Sequence, residues 1–217
     1  MARDATVTRA RLMRAGEQLF ARHGVDRVRV RDINQLAGQR NSSALHYHFG
    51  SRAGLVQAIP AQHRGPIADA LDALLDALER EGRSHDLRAI VETIVVPLAS
   101  ELATESGRDY LQILPAVVSR MGLPVGKIPE RFGPRGIRRS LRLAHRALSE
   151  LPTVLREERL AVGMEFITYS IARRAHEIDV DTRFRLPEEA FIANVVDMAV
   201  GMLAAPVGRL TPDRHPR

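Results

Sequence analysis

Residues 31–58 read RDINQLAGQRNSSALHYHFGSRAGLVQA, and this stretch decides the fold that the sequence predicts. Its apolar spacing predicts one short helix over 31–37, which ends at Gly38, and a second short helix over 42–49. Gly50-Ser51 then caps the start of a further helix. Two short helices joined by a turn that contains glycine are typical of a helix-turn-helix module.

The residues before this stretch predict the remaining helix of the module. Leu12 and Leu19 lie at helical spacing, Thr8 is the expected N-cap, and Gly24 is the expected end. Three helices in some fifty residues predict an N-terminal helix-turn-helix DNA-binding domain over 1–52.

Charge separates this segment from the rest of the chain. Residues 1–52 contain ten arginines and four acidic residues, a net charge of +6, which equals the net charge of all 217 residues. A basic segment on a neutral body favours a module that meets a polyanion. The alternative is a solvated surface that is rich in arginine.

The rest of the sequence predicts a larger, all-α bundle over 53–205, followed by a flexible tail over 206–217. Helical periodicity marks six further segments: 67–78, 87–102, 110–121, 135–150, 153–177 and 187–204. Pro97 is expected to kink or divide its helix. The Pro- and Gly-rich segment 122–134 is expected to form a loop.

Composition excludes several classes of function. The chain has no cysteine, which excludes disulfide scaffolds, cysteine nucleophiles and cysteine metal sites. The N-terminus lacks the apolar core of a signal peptide, and the apolar stretch 191–207 is too short to cross a bilayer. His46 and His48 point to different faces of their helix, so no metal or other cofactor is predicted. We expect a cytoplasmic protein that has no membrane partner.

Residues 8–58 resemble the DNA-binding domain of TetR-family transcriptional regulators, whose second and third helices typically read VRDIA..AGVS...LYYHF.SK..L. The matching residues are Val30-Arg31-Asp32-Ile33, Leu36-Ala37-Gly38, Leu45, Tyr47-His48-Phe49, Ser51-Arg52 and Leu55. The chain departs from this pattern in two ways. It has one additional residue between Gly38 and the Tyr-His-Phe triplet, and Arg29 replaces the usual Ser or Thr cap.

The helix over 42–49 has the two faces that a recognition helix needs. Leu45 and Phe49 share an inward face, whereas Ser43 and Tyr47 lie near the opposite face. The expected DNA-binding residues are Arg29, Arg31, Arg40, Asn41, Ser42, Ser43, His46, Tyr47, His48 and Arg52. The resemblance implies phosphate contacts for Tyr47, His48 and Arg52. Which of residues 40–42 faces the bases stays open, and at least one of residues 41–43 is expected to cap the helix.

The C-terminal bundle carries two expected sites. Residues suggested to line a ligand pocket, unless they are plain core, are Tyr110, Leu114, Val118, Met121, Phe166 and Tyr169. The last helix is apolar around most of its circumference, so it is expected to be buried centrally or, preferably, in a dimer interface. Its expected interface residues are Phe191, Val195, Val196, Ala199 and Met202. An arginine stripe over 135–146 is expected to be a solvated face that pairs with acids.

The resemblance implies a homodimeric regulator. We expect a repressor that binds a palindromic double-stranded DNA operator and is released from it by a small-molecule effector. Two alternatives stay open. One is an architectural or non-specific DNA-binding protein without a ligand. The other is an all-α enzyme, for which the sequence shows no constellation of acid, base or nucleophile.

Overall fold

The computed structural model describes residues 2–41, 43–121, 135–181 and 186–208. Within these ranges the chain is all-α, as predicted. The helices are α1 (Ala2–His23), α2 (Val30–Leu36), α3 (Ala44–Phe49), α4 (Arg52–Arg80), α5 (Leu87–Ala99), α6 (Glu105–Met121), α7 (Arg135–Ala147), α8 (Thr153–Asp179) and α9 (Glu188–Leu203), with a 3-10 turn at Ser100–Ala103. The expected loop over 122–134 and most of the expected tail lie outside the described residues.

The N-terminal helices form the predicted helix-turn-helix module, with one correction. α1 begins at Ala2, so Thr8 lies inside the helix and does not cap it. The preceding residues contain no Gly or Pro that would stop a helix, which explains the earlier start. Gly24 has a positive φ of 78° and ends α1 as expected.

α4 connects the module to the bundle as one helix of 29 residues, about 43 Å long at the usual rise per residue. Ser51 caps its start, because the Ser51 side chain accepts a hydrogen bond of 3.0 Å from the Gly54 N–H. Leu55, near this end, packs closely against Gly16 of α1. Pro60 and Pro66 lie inside α4 without ending it.

One continuous apolar cluster extends from the N-terminal helix α1 through the C-terminal helices to α9. α5 contacts α4, α7 and α9, while α6 packs against α8 and reaches back to α1. Pro97 does not divide α5, which continues to Ala99 before the 3-10 turn. Within the described ranges, no helix combines the length and apolar content that a membrane span requires.

Candidate DNA-binding surface

α3 separates its buried and exposed side chains as the sequence predicts. Leu45 is fully buried, and the half-buried Phe49 packs against the core. The Arg9 guanidinium of α1 lies over the Phe49 ring, 4.9 Å from its centre. Tyr47, in contrast, is 81% exposed. One face of α3 therefore anchors the helix, and the other remains open to a partner.

The turn before α3 presents an exposed cation. Gly38 has a φ of 68°, and the Gln39 N–H donates a hydrogen bond of 2.8 Å to the Asn34 carbonyl, which closes the end of α2. The Asn41 Oδ1 atom accepts a hydrogen bond of 2.9 Å from the Ser43 N–H, which forms an Asx turn before α3. Ser43 is the N-cap residue of α3 and makes no capping hydrogen bond through its side chain. Arg40, Asn41 and Ser43 are all exposed. Ser42 lies outside the described residues.

Two further arginines mark the start of α2. Arg29 is the N-cap residue, and its side chain makes no capping hydrogen bond, as its departure from the family pattern implied. The Arg31 side chain is 72% exposed and lies 3.2 Å from the carboxylate of the adjacent Asp32. Exposed cations beside free N–H groups at a helix start are suited to a phosphate.

The histidines of α3 make contacts within the module. The Nδ1 atom of His46 lies 2.6 Å from the Gly50 carbonyl oxygen at the end of α3. The half-buried His48 ring packs edge-on against the Tyr47 ring, at 4.9 Å between centres. Tyr47 is thus supported from one side while most of its surface stays open.

Arg52 has a structural role that sequence reasoning missed. Its Nη1 atom donates hydrogen bonds of 2.9 Å to the Asp26 carbonyl and 3.0 Å to the Val28 carbonyl. Arg52 therefore ties the loop before α2 to the start of α4. The phosphate contact expected of its half-exposed guanidinium stays a prediction.

A cationic groove beside α2 was also missed. It encloses about 360 Å³ and is lined by Leu19, Arg22, His23, Arg27, Val28 and Asp32. Arg22 and Arg27 contribute to the positive charge of residues 1–52. Neither belongs to the helix-turn-helix motif, so the motif did not indicate them. A search for cations that flank the motif would have found them.

The expected ligand-lining residues do not form one set. Tyr110 and Leu114 on α6 are buried, and Val118 and Phe166 pack at the edge of the core. Tyr169 is 57% exposed on the outer face of α8, which corrects its expected place in a pocket. The Met121 side chain lies outside the described part of the chain.

The apolar residues of α9 expected at a subunit interface lie inside the single chain. Phe191, Val195, Val196 and Ala199 are buried within the chain's own core, where α9 packs against α5 and α8, and Met202 is half-buried. A helix that is apolar around most of its circumference must be buried. Here α9 is buried by helices of its own chain. The outer face of α9 instead presents Asn194, Asp197, Met198 and Gly201.

One residue of the arginine stripe, Arg139, pairs with acids as expected. Arg139 of α7 contacts Asp76 at 2.8 Å and Glu79 at 2.6 Å, both on α4. Hydrogen bonding by Arg139 lowers the pKa of the Glu79 carboxyl. This part of the stripe is a solvated, paired face, as expected.

A three-helix module with a short, outward-facing third helix beside exposed arginines is typical of a helix-turn-helix DNA-binding domain. Residues 12–59 match the family model described as "Bacterial regulatory proteins, tetR family". The match lies within the N-terminal domain, which is similar to the DNA-binding domain of TetR-family regulators.

The chain matches two curated relatives and one solved structure. The chain is 36% identical over 83 residues to the HTH-type transcriptional regulator TtgR of Pseudomonas putida and, equally, to the probable HTH-type transcriptional regulator ArpR of the same species. This alignment covers 38% of this chain and 35% of either relative. The crystal structure of RolR in complex with the ligand resorcinol covers 97% of this chain at 18% identity, with a TM-score of 0.41, and its full length is matched.

Proposed function

We propose that the protein is a ligand-responsive transcriptional repressor that binds a palindromic DNA operator as a homodimer. The observation that carries the proposal is the exposed face of α3, where Tyr47 is 81% exposed directly after a turn that presents Arg40. The match of residues 12–59, which include α3, to the TetR-family model supports it.

On DNA, α3 enters the major groove, and side chains of the preceding turn reach the base edges. Arg40 has the donors for a bidentate contact with guanine, whereas Asn41 already uses its Oδ1 atom within the module. Arg29, Arg31, Tyr47 and His48 contact phosphates and fix the register of the module on the duplex. Ser42, Ser43, His46 and Arg52 complete the proposed contact set.

The homodimer forms through the outer faces of α8 and α9. These faces expose Val162 and Tyr169 on α8 and Met198 on α9, at 41%, 57% and 52%. Exposed large apolar residues on neighbouring helices favour burial by a second copy. A two-fold dimer presents two recognition helices to successive major grooves, about 34–36 Å apart.

The dimer proposal is tested by sedimentation of two variants. Tyr169→Glu places a charge on the exposed face, so folded monomers are expected. Val196→Glu places the same charge in the chain's own core, where the side chain is 1% exposed, so loss of folding is expected. A folded Tyr169→Glu protein that remains dimeric would move the interface elsewhere.

The effector binds within the bundle and favours a state in which the recognition helices no longer match the operator. The similarity of the N-terminal domain to TetR-family regulators supports this step. The proposed lining is Tyr110, Leu114 and Val118 on α6 with Phe166 on α8. A coupling free energy of about 1–3 kcal/mol would change operator affinity by roughly 5–150-fold. The low aromatic content, 4% of residues, favours an aliphatic effector.

Selection from a pool of random duplex DNA at near-physiological salt tests the proposed function. We expect recovery of a palindrome whose half-sites lie about one helical turn apart. Uniform recovery of all sequences would favour an architectural protein, and no recovery at any salt concentration would contradict DNA binding. The recovered duplex then serves to screen aliphatic and aromatic compounds for release of the protein.

A further inference from the structure

Three buried ionisable side chains meet where the N-terminal module joins the bundle. They are Glu17 on α1, His63 on α4 and Glu101 in the 3-10 turn before α6, with side-chain exposures of 0%, 7% and 11%. The His63 Nε2 atom lies 3.0 Å from Glu17 Oε1, and the Nδ1 atom lies 2.7 Å from Glu101 Oε2. We call this group the Glu17–His63–Glu101 triad.

The geometry favours a positively charged His63. Each ring nitrogen faces a carboxyl oxygen, and a neutral imidazole has only one N–H to donate. When both carboxyl groups are ionised, both contacts are hydrogen bonds only if His63 is an imidazolium. Burial alone lowers the pKa of His63, but the hydrogen bonds and negative charges of Glu101 and Glu17 outweigh this effect and raise the pKa from 6.5 to about 9.

Helix α6 closes the triad from the bundle side. The Ser106 hydroxyl donates a hydrogen bond of 3.0 Å to Glu17 Oε2. The Tyr110 ring stacks on the His63 ring, at 4.3 Å between centres and 7° between planes. Burial raises the pKa of Tyr110, and the charge of Arg64 on α4 acts in the opposite direction.

A second ionic contact joins α1 to α6 beside the triad. The Arg14 Nη1 atom lies 3.6 Å from Glu17 and 2.5 Å from Asp109, and Nη2 lies 3.1 Å from Glu105. Burial raises the pKa of Asp109, while its hydrogen bond with Arg14 lowers it. The groups that face the triad therefore come from α1, α4, the 3-10 turn and α6.

A buried ionic contact between the DNA-binding module and the bundle favours two discrete arrangements of these two parts. A buried ion that loses its partner is strongly destabilised, so the triad tolerates little gradual displacement of α6 against α1. When α6 or the 3-10 turn moves, Glu17 and His63 must either keep their contact or separate and become hydrated. Networks of this kind turn small shifts into switches between states.

We propose that the triad is the joint through which the bundle sets the orientation of the DNA-binding module, with His63 as the positioning residue. An effector that displaces α6 would act on the module by separating Glu17 from His63. This inference rests on the proposed function, since it supplies the route between the proposed effector site and α3.

The experiment uses the absence of cysteine from the sequence. Gln35→Cys on α2 and Arg142→Cys on α7 place two spin labels at exposed positions, one in the module and one in the bundle. Labelled full-length protein, diluted with unlabelled protein to suppress distances between subunits, is measured by pulsed electron paramagnetic resonance from pH 7 to 10.

We expect one narrow distance at pH 7 and a second distance that appears with a midpoint near pH 9, as the imidazolium loses its proton. Glu17→Gln keeps the shape of the side chain but removes one anion, so the midpoint should move towards lower pH. His63→Gln should abolish the pH dependence. Glu92→Gln, which removes an anion that pairs with Arg88 on α5, is the matched control and should keep the midpoint near pH 9.

An unchanged distance across the range in the wild-type protein would overturn the proposal, and so would a midpoint that Glu17→Gln leaves in place. Neither result depends on a variant of His63 that folds. The distance measurement needs no DNA, so it distinguishes failure of the joint from failure of the proposed function. On the selected duplex at pH 7, Glu17→Gln should change the affinity within the roughly 5–150-fold range of allosteric coupling.

Discussion

The arginines of the N-terminal module and those of the bundle have different surroundings. In the bundle, Arg139 pairs with two acids of α4, Arg108 lies 2.5 Å from Asp179, and Arg88 pairs with Asp197. In the module, Arg29 and Arg40 are exposed and form no ion pair with any described residue. These three arginines of the bundle are thus neutralised by acids of their own chain, whereas Arg29 and Arg40 of the module are available to a polyanion.

The difference separates two uses of the same residue type. Paired arginines on a solvated face contribute little to stability and little to recognition. Unneutralised arginines near a helix start gain most of their interaction energy from an external anion. The position of a cation relative to acids therefore says more about its role than the overall charge.

The largest expected effect comes from the inner face of α3. Leu45→Ala removes a fully buried side chain and should lower the free energy of unfolding by about 2–5 kcal/mol, measured by chemical denaturation. Tyr47→Ala, on the outer face, should leave stability unchanged and weaken DNA binding. Equal loss of stability in both variants would contradict the division of α3 into an anchoring face and a recognition face.

The joint between the two regions should make stability depend on pH. The pKa of His63 is higher in the folded protein, about 9, than in the unfolded chain, about 6.5, so the folded state binds more protons between these values. The contribution of His63 is fully present below pH 6.5 and is lost as the pH rises towards 9, by about 3 kcal/mol. Denaturation at pH 6, 7.5 and 9 measures this loss, and His63→Gln should flatten that part of the profile.

Replacement of one exposed and one paired arginine tests whether the two kinds of arginine differ in DNA binding. Arg40→Ala should cost about 1–3 kcal/mol on the selected duplex and relax the preference at one base pair of each half-site. Arg139→Ala, in the paired stripe, should leave DNA affinity unchanged. If Arg40→Ala weakened binding equally on all sequences, Arg40 would be a phosphate contact and not a reader of bases.

The smallest expected effect concerns Arg29. Arg29→Ala should weaken binding to selected and unrelated duplexes alike and reduce the slope of log affinity against log salt by about 0.9 per subunit. Titration of fluorescent duplex at several salt concentrations gives this slope. An unchanged slope would remove Arg29 from the proposed contact set.

The sequence predicted the module well because its signals are local. The ends of α2 and the inward position of Leu45 follow from spacing within a few residues. The start of α1 was predicted wrongly, because Thr8 has the chemistry of an N-cap but lies in a stretch without a helix stop. The continuity of α4 through Pro60 and Pro66 depends on packing along its length, which local patterns do not report.

Neither the Glu17–His63–Glu101 triad nor the burial of α9 within its own chain could be predicted from the sequence, for a common reason. Glu17 and Glu101 lie 46 and 38 residues from His63, and no local pattern relates them. The apolar circumference of α9 shows that the helix is covered, but not whether its own chain or a second copy covers it. Both features depend on tertiary packing.

The central claim is that the cations of the module read DNA as part of a two-fold dimer, and a hydroxyl-radical footprint on the selected duplex tests it most directly. We expect two protected half-sites related by a dyad, with centres about 10–10.5 base pairs apart. Tyr47→Ala should remove both protections. A single protected patch, or uniform protection along the duplex, would contradict it.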